Sequence, residues 1–248
     1  MPPKRSLARR IKVALLRSGV GRAGAPASGL LLKAAYMARL AKWTHIHCDL
    51  PFDADADEPD FRYNKRERLF QFVCDVEGLD GPIDYLEFGV AKGKSFLWWL
   101  DQNQHAESRF VGFDTFTGLP EDFGPVKAGT FDTKGSVPQT DEPRAQFVAG
   151  FFQQTLGPFL KESGLVERIS ERRLVVHLDA DLYSSTLFVL TRIAPILLPN
   201  DILLFDEFGV PMHEFKAFTE FVQAYQIGYE VLGQANDYLQ VVIKLTHV

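Results

Sequence analysis

Apolar residues in this chain fall into two kinds of run. Short, nearly unbroken ones have the length and content of strands buried on both faces: Tyr85-Leu86 with Phe88, Phe110-Val111 with Phe113, Leu174-Val175-Val176 with Leu178, and Ile202-Leu203-Leu204-Phe205. Gln146-Phe147-Val148 adds a shorter strand, and Tyr229 to Leu232 and Leu239 to Leu245 add two more near the C-terminus. Between them lie segments with helical spacing: 64–76, where Leu69, Phe70 and Val73 point inward, then 95–100, 151–160, 184–197 and 213–225. Strand alternating with helix predicts an α/β fold, a mostly parallel sheet with helices on both faces, beginning near residue 64. Residues 115–144 interrupt the pattern; they are rich in Gly, Pro and Thr without periodicity, the mark of a lid or binding loop.

The first 48 residues change the picture. They hold ten Lys or Arg and no acid, although the whole chain carries a net charge of -5. Leu7, Ile11, Ala14 and Leu15 share one helical face with bases opposite, which predicts a basic amphipathic helix. Such a helix caps the domain, docks on a partner subunit or lies on an anionic membrane surface; an Arg-rich transit peptide is a further reading. Residues 19–29, rich in Gly, Ala and Ser, read as a hinge before a second helix from Leu30 to Trp43. His45 and His47 have the spacing of strand neighbours and could touch substrate but read as surface histidines, and Asp53, Asp55, Asp57 and Glu58 read as a solvated acidic loop. With 46% hydrophobic and 24% charged residues the chain is ordinary globular, and it has no apolar run of spanning length. Cys48 and Cys74 offer neither a disulfide framework nor a zinc spacing, so a reducing cytoplasm is expected. No nucleic-acid partner is expected.

Candidate chemistry gathers where strands end. In Ile83 to Phe96, IDYLEFGVAKGKSF, a buried strand gives way to a glycine turn, Gly89 to Gly93, and then to a helix start at Ser95. The pattern is E-x-G-x-x-x-G, with Glu87 already in the strand, whereas a dinucleotide fold has G-x-G-x-x-G and its acid about 20 residues later. Asp114 ends the next apolar run, and both acids would sit at the carboxyl edge of the sheet, where α/β folds bind ligands. That arrangement resembles class I S-adenosylmethionine-dependent methyltransferases.

Two further strands end in paired acids, Asp179 with Asp181 and Asp206 with Glu207. Carboxylates directly after buried apolar residues are costly unless compensated. Asp179, Asp206 and Glu207 would offer hard oxygen ligands to magnesium; the plainer alternative is a helix cap, with Asp181 capping the helix near Ser184. D-x-D after a strand also opens phosphohydrolases and some glycosyltransferases, but there it leaves Glu87 without a role. His177, inside a buried run, reads as a hydrogen-bonded core histidine, and Trp98 and Trp99 read as packing residues.

Taken in order, YLEFGVAKGKSF, GFDTFTGLPEDF, KAGTF, VAGFFQQTL, VHLDADLYSST and LLFDEF resemble the macrocin O-methyltransferases, magnesium-dependent enzymes that methylate sugar hydroxyls. The resemblance covers roughly residues 66–208. It implies a class I fold of seven strands with the last antiparallel, occupying 64–248 behind a basic helical extension and lid at 1–63. It places S-adenosylmethionine against Glu87, Gly89, Gly93, Ser95, Asp114, Gly150, Phe151 and Asp179. It gives magnesium Asp179, Asp206 and Glu207, and makes Asp181 the candidate proton acceptor; His213, outside the resemblance, is a second candidate for that role. The implied partner is a small-molecule or glycan acceptor, with a homo-oligomer expected and peripheral membrane contact as an alternative role for the N-terminus. A catechol-type O-methyltransferase, a metal-dependent phosphohydrolase and a non-catalytic scaffold are the competing readings. The family pattern has Asp-Asp where this chain has Asp206-Glu207, and the stretch from Gly209 to Glu214 matches nothing in it.

Overall fold

A computed structural model describes residues 6–165 and 172–248. Two helices, α1 (Leu7–Arg17) and α2 (Val20–Ile46), precede a doubly covered sheet. Then follow β1 (Phe52–Asp53), α3 (Lys65–Glu77), β2 (Ile83–Phe88), α4 (Lys94–Gln102), β3 (Arg109–Asp114), β4 (Ala145–Ala149) and α5 (Phe152–Glu162). The chain ends with β5 (Arg173–Leu178), α6 (Tyr183–Ile193), β6 (Ile202–Phe205), α7 (Glu214–Tyr225), β7 (Gly228–Ala235) and β8 (Gln240–His247).

The sheet has eight strands in the order β1-β7-β8-β6-β5-β2-β3-β4. β8 runs antiparallel to β6 and β7, and the other pairings are parallel. This is the expected class I methyltransferase architecture. The strand beyond the expected seven is β1, two residues paired to β7 at the edge, too short for periodicity to reveal.

Period-two alternation sorts the strand side chains between two cores. Leu86, Phe88, Val176, Leu178, Leu203 and Phe205 pack with α5, α6 and α7, whereas Tyr85, Phe110, Val175 and Leu204 pack with α3 and α4. The same alternation sends Glu87 and His177, paired in register, and Asp206 two residues after Leu204, toward the α3 face.

The N-terminal region departs from its sequence reading. Residues 19–29 do not form a hinge: α2 runs through them as one helix that contains Pro26, with Gly19 at φ 69 ending the break after α1. The far half of α2 is bonded to the domain, since Tyr36 Oη donates to Glu220 Oε1 at 2.6 Å and Trp43 Nε1 to Tyr229 Oη at 2.9 Å. His45 is exposed near this helix end, as a surface histidine, whereas His47, the C-cap, is half-buried with its ring 4.4 Å from Trp43. Nor is the acidic loop merely solvated. Asp55 accepts from Lys65 and Gln234 and from the backbone of Asn236 and Asp237, which ties the approach to α3 onto the β7–β8 turn. On α1, Leu7, Ile11, Leu15 and Leu16 are exposed, and no described helix is long and apolar enough to cross a membrane.

Candidate active site

At the sheet's carboxyl edge two glycines make approaches too close for a side chain. Gly89, at φ 100, leaves β2 so close to β5 that a Cβ there would lie 1.8 Å from the Asp179 carbonyl oxygen. Gly93, at φ 78, starts α4 against Pro138 of the long loop, whose Cγ would be 2.6 Å from a Cβ. Between them the Ala91 N–H donates to Asp114 Oδ2 at 2.7 Å, and the Phe116 N–H donates to Asp114 Oδ1 at 2.7 Å. Asp114 is thereby oriented by backbone and keeps free lone pairs at the mouth of the sheet.

These residues border a cavity of about 530 Å³, walled by Tyr63, Gly89, Ala91, Asp114, Phe151, Asp179, Asp181, Asp206 and Glu207. The loop expected to be a lid supplies Thr115, Leu119, Glu121 and Phe131 to the same wall. It is latched across the cavity: Ser184 Oγ donates to Glu121 Oε1 at 2.8 Å, and the Phe123 ring meets His213 edge-on at 4.7 Å.

Glu87 lies beneath this cavity, fully buried. Its Oε2 accepts from Tyr85 Oη, its Oε1 from Ser95 Oγ at 3.1 Å, and the His177 Nδ1 sits 3.4 Å from Oε2 and 3.0 Å from Tyr85 Oη. The Glu87, Gly93 and Ser95 of the sequence reading thus stand behind the wall, where they fix the turn. Gly150, at φ 137, also stands behind it, its N–H donating to the Asp114 carbonyl at 2.9 Å, and the neighbouring Phe151 reaches the cavity.

The acids converge as the strand order requires. Ligand atoms of His177, Asp179 and Asp206 all lie within 4.8 Å of one another. Glu207, expected as the third ligand, lines the same cavity but falls outside that group; its N–H donates to the buried Glu214 Oε2 at 2.8 Å. Arg66 enters from α3, with Nη1 donating to Asp206 Oδ1 at 2.8 Å and lying 3.6 Å from Asp179 Oδ2. Burial works against the Asp206 charge, but His177 and Arg66 outweigh it and hold the carboxyl below the usual range. Asp179, recessed beside the Asp206 charge, is pushed well above it. Burial would lower the His177 imidazole, yet the Asp206 and Glu87 carboxylates raise it to about 9. Its Nε2 has no hydrogen-bond partner, standing 3.9 Å from Asp206 Oδ1.

Asp181 is not a helix cap. The N-cap of α6 is Leu182, and Asp181 precedes it in the left-handed region at φ 57, nearly buried on the cavity wall. Burial, then the charges of Asp206 and Asp114, raise its carboxyl to about 7. The same first two causes, with Asp181 nearby, raise Glu207 to about 8. His213 is half-buried at the start of α7 behind Phe123 and is not part of the wall. The sequence reading left His177 to the core and passed over Tyr63 and Arg66. Arg66 had a signal, since it shares the helical face of Leu69, Phe70 and Val73.

Fold and cavity together define a class I methyltransferase. Residues 86–208 match the family model described as a methyltransferase domain. Among solved structures the chain is similar to CalS11, a calicheamicin methyltransferase, at 22% identity over 74% of this chain and 80% of that one, with a TM-score of 0.56. It is also similar to the O-methyltransferase NovP, at 22% identity over 73% and 79%, with a TM-score of 0.50. These likenesses bear on the fold. No curated protein matches the chain. The chain thus has the class I methyltransferase fold and carries a methyltransferase domain over residues 86–208.

Proposed function

We propose that this enzyme methylates a hydroxyl oxygen of a sugar or polyol with help from a divalent ion, as the macrocin-type motifs imply. The observation that carries the reading is Asp181: a carboxylate raised to about 7, on the wall of one cavity with Asp114, Asp179 and Asp206. A sugar hydroxyl is a poor nucleophile at neutral pH, and a base with a pKa near the working pH serves it best. The solved neighbour CalS11 is described as a TDP-rhamnose 3'-O-methyltransferase, at 23% identity over 74% of this chain and 80% of that one, with a TM-score of 0.52.

The residues present fit both absent groups. A cofactor turn without a Cβ at Gly89 and an Asp114 carboxylate facing the cavity suit S-adenosylmethionine, which supplies the electrophilic methyl when bound. For the ion, Asp179 and Asp206 offer oxygens, His177 Nε2 is a buried nitrogen without a partner, and Glu207 stands at the edge. Magnesium held there would lower the pKa of an acceptor hydroxyl. Asp181 takes the hydroxyl proton. Asp114 holds the ribose with the lone pairs its backbone donors leave free, and the latched loop at Glu121 and Phe131 covers one side of the cavity.

S-Adenosylhomocysteine, with and without magnesium, should raise the melting temperature, the two together more than either alone. Labelled methyl donor offered with sugar nucleotides and with catechols should then label the sugars; label on catechols alone would replace the sugar reading by the catechol one.

A further inference from the structure

The helix leading into the matched domain brings a guanidinium, that of Arg66, to the acids at the strand ends. Arg66 is 2% exposed, and Leu69, Phe70 and Val73 of the same helix are buried with it. Its guanidinium lies over the Tyr63 ring, 4.0 Å from the centroid. Nη1 donates to Asp206 Oδ1 at 2.8 Å and stands 3.6 Å from Asp179 Oδ2. These are the two carboxylates that, with His177, could hold a divalent ion.

A guanidinium keeps its charge at every accessible pH. Magnesium sits about 2.1 Å from its oxygen ligands. An ion held by the same carboxylates would face the like charge of Nη1, which already donates to one of them. Nor does Arg66 hold its place by the strongest geometry. Nη1 alone reaches the two carboxylates, and Nε is buried without a partner, unlike the two-pronged fork of a tight arginine–carboxylate pair. Buried Leu69, Phe70 and Val73 and the Lys65–Asp55 ion pair fix this end of α3, from which the arginine reaches the acids.

We propose that Arg66 is a built-in counter-cation of the Asp179–Asp206 pair that competes with a divalent ion for it, so that the ion binds only as Nη1 releases Asp206. This rests on the metal reading of the proposed function. Arg66 then holds the Asp206 carboxylate beside Asp179 in the metal-free protein and sets how much metal the enzyme needs.

The test is Mn2+ titration of the full chain with S-adenosylhomocysteine present, followed by calorimetry and by the Mn2+ paramagnetic resonance signal. Wild type is compared with Arg66→Gln and Arg66→Lys. Arg66→Gln should bind Mn2+ about tenfold tighter or more, and Arg66→Lys should fall between. Without metal Arg66→Gln should melt below wild type and recover more on adding Mn2+. If Arg66→Gln folds only with Mn2+, the competition is supported; if it folds under neither condition, Arg66→Lys decides by the same comparison. Variants that bind Mn2+ no more tightly than a wild type that binds it overturn the competition and leave the metal reading standing. No binding by wild type or variants overturns the metal reading and the competition with it.

Discussion

Gly89 and Asp179 touch through their backbones, so the cofactor turn after β2 and the acidic turn after β5 are one packed unit. A methyl group at Gly89 would overlap the Asp179 carbonyl and would strain a backbone at φ 100. Gly89→Ala should therefore cost about 3 kcal/mol or more in urea unfolding and abolish S-adenosylhomocysteine binding in calorimetry. Wild-type binding by that variant would mean that the turn does not hold the cofactor.

Asp181 should set both rate and pH profile. Asp181→Asn should lower kcat by about 10²–10⁴-fold while S-adenosylhomocysteine affinity stays within about twofold. The base works only when deprotonated, and its carboxyl is raised to about 7. kcat/KM should thus rise with pH up to about 7 and level off above, with the rise moved to lower pH by a bound cation. A profile in the Asn variant with the same acid limb would assign that limb to another group.

His177 and Tyr85 should prove coupled through Glu87. Tyr85 Oη meets both Glu87 and His177 Nδ1, and all of them are fully buried. Tyr85→Phe and His177→Phe should each lose about 1–4 kcal/mol, and the double variant less than their sum, by about 0.5–3 kcal/mol. Strict additivity in urea unfolding would mean that the buried groups act separately.

Acid should loosen α2 through Glu220. Burial would raise this carboxyl, but hydrogen bonds from Tyr183, Tyr36 and Lys216 outweigh it and hold it below the usual carboxylate range. A depressed carboxyl contributes stability above its unfolded pKa and loses it as pH falls through the folded one. The fluorescence of Trp43, which donates to Tyr229, should report α2 loosening on acidification. In Glu220→Gln that acid-dependent change should vanish.

Much of this arrangement was legible in the chain. Runs such as Leu174 to Leu178 and Ile202 to Phe205 have the length and content of doubly covered strands, and an acid directly after each marks the edge where ligands bind. The convergence of Asp179 and Asp206 follows, because β5 and β6 are neighbours. Harder to read was residue 19–29, where small residues imitate a hinge yet continue a helix that is anchored further on by Tyr36 and Trp43. Local propensity is a weak prior against such tertiary anchoring.

Sequence alone determined the α/β order and the acids at the strand ends, because period and burial are written in the order of side chains along each element, whereas the antiparallel last strand was implied by the family resemblance. Tertiary structure alone decided which groups face one another across elements. It put Arg66 between Asp179 and Asp206, set His177 rather than Glu207 in the group of close ligand atoms, and sank Glu87 beneath the wall it was expected to line. Those outcomes depend on the distance between a helix and a strand end that lie far apart in the chain, and no pattern within either one records it.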